Sequence, residues 1–149
     1  MKVVVQRVTT ASCTVDNKLI SSIQSGFLLF VGFTHTDTIE DVLYLAKKVA
    51  HLRIFEDEQG KLNINIKDKG YEILSISQFT LYGETAKGNR PSFTMAMDPK
   101  AAQELYISFQ ETLQKTHDIP TKIGRFGEHM NIMLTNDGPV TILMESKER

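Results

Sequence analysis

The sequence predicts a mixed α/β fold with mixed, largely antiparallel sheets and two main helices. Three observations carry this. Stretches with an apolar residue at every second position come in blocks. Two stretches with apolar residues at helical spacing separate those blocks. Single helices do not alternate with single strands, as a doubly wound parallel sheet would require. The 149 residues suit one domain spanning 1–149, long enough to bury a core without staples.

Segment 1–8 is Val-rich and reads as a strand. In 11–15, Ala11, Cys13 and Val15 alternate with polar residues. Asp16-Asn17-Lys18 then supplies turn chemistry, so 11–23 reads as a hairpin. Residues 27–33 are continuously apolar apart from Gly32, as in a strand covered on both faces. Asp37 is placed to cap a helix, with Glu40 three residues on completing a capping box. Ile39, Val42, Leu43, Ala46, Val49 and Ala50 then fall on one helical face. Residues 52–55 and 62–66 flank a turn at Asp57–Gly60, and 71–82 read as the next strand. A polar loop covers 83–92. Asp98-Pro99 is a cap with proline at the first helical position, and Ala102, Leu105, Tyr106, Phe109 and Leu113 form the core face of a helix ending near His117–Pro120. Met130, Ile132 and Leu134 alternate, Thr135–Pro139 turns, and Val140, Ile142 and Met144 alternate again, which reads as a final hairpin.

Composition narrows the function. Lys and Arg total 17 and Asp and Glu 18, for a net charge of −1, and 41% of residues are hydrophobic. The longest apolar run, Phe27 to Val31, falls far short of the roughly 20 residues of a membrane span. The start lacks the pattern of a secretory signal. Cys13, the one cysteine, excludes an intrachain disulfide and a Cys-based zinc cluster, and its place in an alternating strand reads as a packed thiol. His35, His51, His117 and His129 show no metal-ligand spacing. The expectation is a cytoplasmic protein with no metal, no cofactor and no membrane contact. Charge is uneven, however: six bases face four acids between Lys87 and Arg125, which permits phosphate contact on one side.

Three segments carry chemistry. Ser77-Gln78-Phe79-Thr80-Leu81-Tyr82 sets hydroxyl and amide groups at a strand end, where sites are common. Asn136-Asp137-Gly138-Pro139-Val140-Thr141 joins two alternating stretches. With a cis Gly138–Pro139 bond, both carbonyls would point the same way and present backbone acceptors to a ligand. Lys87-Gly88-Asn89-Arg90-Pro91-Ser92-Phe93 puts two cations on a glycine-containing loop. Each has a plain structural alternative: the exposed face of a strand, a hairpin turn and a solvated loop.

Together, these segments resemble the D-aminoacyl-tRNA deacylase family. Ser77–Leu81 is similar to that family's Ser-Gln-Phe-Thr-Leu motif, and Asn136–Thr141 to its Asn-x-Gly-Pro-Val-Thr motif. Gln6-Arg7-Val8, Leu52 to Asp57, Lys87 to Phe93 and Gly124-Arg-Phe-Gly127 add support, so the resemblance runs from Met1 to about Glu145. Glu128-His129 departs from the small residue expected after Gly127 and points to an altered pocket rim. The resemblance implies a three-layer α/β/β fold in a homodimer with the pocket at the subunit interface. One subunit would supply Ser77–Thr80. The other would insert its Gly138-cis-Pro139 loop, held by Arg7.

The implied substrate is the ester joining a D-amino acid to the terminal adenosine of tRNA, with glycyl-tRNA a further substrate. Implied catalytic residues are Ser77, Gln78, Phe79 and Thr80, with backbone N–H groups near Phe79 and Thr80 stabilising an oxyanion. Arg7, Asn136, Gly138, Pro139, Val140 and Thr141 would form the substrate-binding element. Lys87, Arg90, Lys122 and Arg125 are candidates for tRNA contact. Two other readings stay open on the residues alone. One is an RNA-binding module without turnover. The other is a hydrolase of small esters with Thr80 as nucleophile.

Overall fold

The computed structural model describes residues 1–148. Its spine is β1 (Lys2–Val15), a 14-residue strand that fuses the two strands expected at 1–8 and 11–15. Asp16 and Asn17 take positive φ (48° and 62°) and turn the chain into β2 (Lys18–Ile23), as their turn chemistry predicts. β3 (Gly26–Gly32) continues along the same edge of β1, so β2 pairs with residues 11–15 and β3 with residues 2–8. α1 (Ile39–His51), the ribbon of β4 (Phe55–Glu56) and β5 (Leu62–Ile64), and the single turn α2 (Ile66–Lys69) lead to β6 (Glu72–Ser77). β6 lies parallel to β3. α3 (Pro99–Glu111), prolonged by one wider turn to Thr116, leads to β7 (Thr121–Ile123), parallel to β6. β8 (Asn131–Glu145) closes the six-stranded mixed sheet on the other edge of β1.

Each face of the sheet carries a buried core. Val3, Val5, Phe27, Leu29, Val31 and Ile73 pack under α1 and α3, with Phe27 stacked on Phe55 at 5.2 Å. On the other face Val8, Ala11, Cys13, Val15, Leu28, Leu74 and Ile76 form a second core. The sheet curls to make it: Ser21 Oγ donates to the Ile123 carbonyl and Lys122 Nζ to the Ser22 carbonyl, both at 2.8 Å, joining β2 to β7. β1 serves both cores. Its inward residues meet the helices as far as Val5 and the opposite core from Val8, because the register shifts on either side of Val8. Burial pushes the Cys13 thiol up, as a packed thiol requires.

Four sequence expectations change. The cap of α1 is Thr38, with Asp41 as its capping-box partner, one residue later than Asp37 and Glu40. Asp37 is instead drawn to the buried Met1 ammonium, which also donates to Ser146 Oγ at 3.0 Å. The core face of α1 includes Leu45, while Ile39 and Leu43 are each 48% exposed. The strand expected over 71–82 stops at Ser77, and Phe79–Tyr82 coil into a 3₁₀ helix. The final hairpin is no hairpin: residues 131–136 and 141–145 both pair with β1, so the chain never reverses. Asp98 caps α3 as expected, accepting from the Lys100 and Ala101 N–H groups. No helix among the described residues is long and apolar enough to cross a membrane.

Candidate active site

At the end of β6 the Gln78 N–H donates to the Val31 carbonyl at 2.7 Å, the last rung of the parallel ladder. The chain then turns sharply, with Gln78 at φ −145° and ψ 84°. The turn lies tight on β3. A Cβ on Gly32 would come within 2.8 Å of the Gln78 carbonyl oxygen and 3.2 Å of Leu81 Cβ. Within the turn, the Leu81 N–H bonds to the Gln78 carbonyl (3.3 Å) and the Gly83 N–H to the Thr80 carbonyl (2.9 Å). The Phe79 and Thr80 N–H groups come first in a helical turn and find no acceptor among the described residues. Gln78 Nε2 donates to Thr80 Oγ1. Phe79 is 58% exposed, its ring edge-on to Phe93 at 5.2 Å.

A cleft of about 740 Å³ opens beside this turn. Val31, Ile76 and Ile132 from the sheet, with Met97, Ala102, Phe126 and Met130, give it an apolar lining. Ser77, Gln78, His35, Asp98, Glu128 and His129 bring polar groups to it. Glu128 and His129, flagged in the sequence as rim residues, do line the cleft. His35, dismissed with the other histidines, lines it too and is tied to the Thr94 carbonyl at 2.6 Å. Met97 and Ala102 carry no signal beyond their helical or apolar character, whereas Phe126 lies in the Gly124–Gly127 segment that supports the resemblance. No histidine or carboxylate is bonded to Ser77 or Thr80 among the described residues, so neither hydroxyl has a partner to activate it.

The second motif is a wide bulge. Gln6 pairs with Thr141 and Val8 with Asn136, so residues 137–140 stand opposite Arg7 alone. The Gly138–Pro139 peptide bond is cis, and Gly138 has φ 127°. Arg7, 5% exposed, anchors the bulge from beneath: Nε donates to the Asp137 carbonyl at 3.0 Å and Nη1 to the Ile54 carbonyl at 2.8 Å. Its charge meets Asp137 at 3.4 Å and Glu56 at 3.9 Å. Asn136 fastens the other side, accepting from the Val140 N–H and donating to Thr141 Oγ1. Gln6 reaches Thr141 Oγ1 at 3.4 Å.

One chain does not bring the two motifs together. Ser77 lies beside Val31, which pairs with Val3, whereas Arg7 pairs with Phe27. Four residues along β3 separate the two levels, about 13 Å, and none of residues 136–141 lines the cleft. The basic candidates also separate. Lys87 and Arg90 are exposed on the loop leading to Phe93, and Arg125 pairs with the cleft residue Glu128 at 3.9 Å. Lys122, on the edge strand β7, is engaged by the Ser22 carbonyl at 2.8 Å and by Glu72 at 3.6 Å.

A strand-end turn with two unengaged backbone donors, over an apolar cleft, suits a reaction in which a carbonyl oxygen gains negative charge. That is the acyl-transfer class. The comparisons with known proteins agree with that chemistry. The family model described as D-Tyr-tRNA(Tyr) deacylase matches residues 4–145. A D-aminoacyl-tRNA deacylase of Bacillus pumilus (strain SAFR-032) is 53% identical over 148 residues, covering 99% of this chain and all of that one. One from Geobacillus sp. (strain WCH70) is 50% identical over 149 residues, covering 100% of this chain and 97% of its own. A solved structure titled c-Myc DNA Unwinding Element Binding Protein aligns with a TM-score of 0.91 at 45% identity, over 97% of this chain and 98% of its own. A second, titled as a probable eukaryotic D-amino acid tRNA deacylase, aligns with a TM-score of 0.81 at 17% identity, over 96% and 97%, and shares the fold. The chain belongs to the D-Tyr-tRNA(Tyr) deacylase family, and so to the hydrolases that cleave ester bonds.

Proposed function

We propose that this chain hydrolyses the ester between a D-amino acid and the 3′-terminal ribose of tRNA, working as a homodimer in the cytoplasm. Each Ser77–Thr80 cleft is completed by the Gly138–Pro139 bulge of the other copy. The observation that carries this reading is the pair of unengaged Phe79 and Thr80 N–H groups in the turn beside the cleft, which Phe79 lines and Thr80 does not. Water attacks the ester carbonyl, and these donors hold the resulting oxyanion. One well-placed donor of this kind lowers the barrier by about 3–4 kcal/mol. The substrate's own 2′-hydroxyl assists the attack, which fits a site whose Thr80 hydroxyl has no base beside it. Gln78 orients the water or the adenosine, and Phe79 offers its exposed ring to the terminal base.

Selection comes from backbone. The carbonyls of Gly138 and Pro139 take the α-ammonium group. With ammonium and ester both fixed, a D side chain leaves toward solvent and an L side chain runs into main chain. The same geometry leaves achiral glycine acceptable, so glycyl-tRNA is also cleaved. Arg7, Asn136, Val140 and Thr141 hold the bulge. Lys87, Arg90, Lys122 and Arg125 meet tRNA phosphates.

The test is a paired assay: D-Tyr-tRNA and L-Tyr-tRNA, each with the protein and each beside an enzyme-free control. Rapid loss of the D ester with the L ester intact is the expected result. Loss of both removes the backbone selection and leaves an esterase. A second reading, nucleic-acid binding without turnover, draws on the DNA-element-binding title of the neighbour at 45% identity. Tight, salt-sensitive tRNA binding with neither ester cleaved would favour it.

A further inference from the structure

Nothing in the chemistry above uses the far end of the Phe79–Tyr82 turn, yet that end is clamped. Lys2 lies at the start of β1, where its backbone pairs with Gly32 on one side and Glu145 on the other. Its ammonium sits over the Tyr82 ring, 5.1 Å from the centroid. The same ammonium meets the Glu145 carboxylate of β8 at 3.3 Å. Both side chains are largely shielded, at 28% and 26% exposure. The turn is therefore held at two points. At its start, Gln78 bonds to Val31 over the bare Cα of Gly32. At its end, Tyr82 is pinned beneath Lys2. The two unengaged N–H groups lie between these points.

The geometry points to Lys2 as a positioning residue for catalysis: its ammonium, held on the Tyr82 ring and steered by Glu145, fixes the turn that aims the Phe79 and Thr80 N–H groups. This rests on the deacylase reading for its kinetic effect, but the clamp itself is a property of the turn. A cation prefers an aromatic face because of the ring's negative quadrupole, while a carboxylate is repelled by it. That difference separates a ring clamp from a simple ion pair. Tyr82 is needed as a ring, so Phe replaces it and Leu does not. Lys2 is needed as a cation, so Arg replaces it and Met does not.

The experiment measures kcat and KM on D-Tyr-tRNA, with amide hydrogen exchange at Leu81 and Gly83, whose N–H groups close the turn. Lys2→Met and Tyr82→Leu should lower kcat about threefold to tenfold with KM unchanged and speed exchange at both amides. Lys2→Arg and Tyr82→Phe should stay near the parent in both readouts. The exchanged pair Lys2→Glu with Glu145→Lys restores the cross-strand ion pair but sets a carboxylate on the ring, and should behave as Lys2→Met does. Parent-like kcat and exchange in Lys2→Met overturns the proposal, as does full rescue by the exchanged pair. Thermal melts identify a Tyr82→Leu protein that fails to fold, and Lys2→Met then decides alone. A parent protein that leaves D-Tyr-tRNA intact overturns the deacylase reading; exchange at Leu81 and Gly83 still decides whether the clamp exists.

Discussion

The Ser77–Thr80 turn and the Gly138–Pro139 bulge are both departures from the same sheet, and they are built in opposite ways. In the turn, backbone donors are left without acceptors, and Ser77 and Gln78 face a cleft. In the bulge, Arg7 ties the Asp137 carbonyl while its other arm holds the Ile54 carbonyl, Asn136 holds the Val140 N–H, and Thr141 takes Asn136 in turn. Unmet hydrogen-bonding capacity is what chemistry on a carbonyl needs. Fixed main-chain geometry is what a size and shape test needs. On the proposed reading, the turn that would bind a transient charge is kept open, and the bulge that would reject a wrong shape is tied down.

The strongest way to break the contrast is at Arg7. Replacing it with Ala leaves the Asp137 and Ile54 carbonyls without their donor and removes a buried cation from beneath the bulge. The expected loss is about 3 kcal/mol in stability, read by urea unfolding, with selectivity against L-Tyr-tRNA lost as the bulge loosens. Gly138→Ala comes next. The new Cβ would meet Val140 Cγ2 at 2.9 Å and Arg7 Nη2 at 3.1 Å, at a φ of 127° that L residues rarely adopt. A cost of about 1–3 kcal/mol and at least tenfold slower cleavage of D-Tyr-tRNA are expected, the latter read in single-turnover assays. Thr80→Ala should do less, within about tenfold of the parent rate, because the backbone N–H survives. Complete loss in that variant would instead make the hydroxyl a nucleophile, detected as a trapped acyl-enzyme by mass spectrometry.

The smallest effect is on pH. Burial opposes ionisation of Asp41, but the Thr38 N–H, Lys147 and Ser146 outweigh it and hold the carboxyl well below its ordinary 3.8. A carboxyl with a lowered folded-state value stabilises the fold fully above its unfolded value, and that contribution is lost as pH falls further. Melting temperature should therefore drop below about pH 4, and Asp41→Asn should flatten part of that fall. The cluster of Asp37, Asp41, Met1 and Lys147 lies at the Ser77 end of the sheet, so acid should loosen the turn before it loosens the bulge. Amide exchange at pH 3.5, compared between Gly83 and Val140, would show the reverse order if the contrast is mistaken.

Local chemistry was legible where it decides structure alone. Asp98-Pro99 capped α3, and Asp16-Asn17 turned the first hairpin, because a cap or a tight turn needs only a few neighbouring residues. The start of α1 was misplaced by one residue because Asp37 is claimed by Met1, which lies 36 positions away. Asn136–Pro139 was read as a hairpin turn for a related reason. The residues that reverse a chain also suit a bulge, and only the pairing of both arms with β1 tells them apart. Of the site, the two motifs were legible as polar and glycine-bearing interruptions. The apolar lining from Met97 and Ala102 was not, since such residues look the same in a core and in a cleft.

Placing the two motifs about 13 Å apart along one sheet has a genetic consequence. In the proposed dimer every active site is a hybrid, with its turn from one chain and its bulge from the other. A chain damaged at Gly138 and a chain damaged in the Phe79–Thr80 turn would each be inactive with its own kind. Paired with each other, they would form one doubly damaged site and one intact site. Two defective alleles in the same cell would then complement, and a single defective allele beside a normal one would still leave one sound site in each mixed dimer.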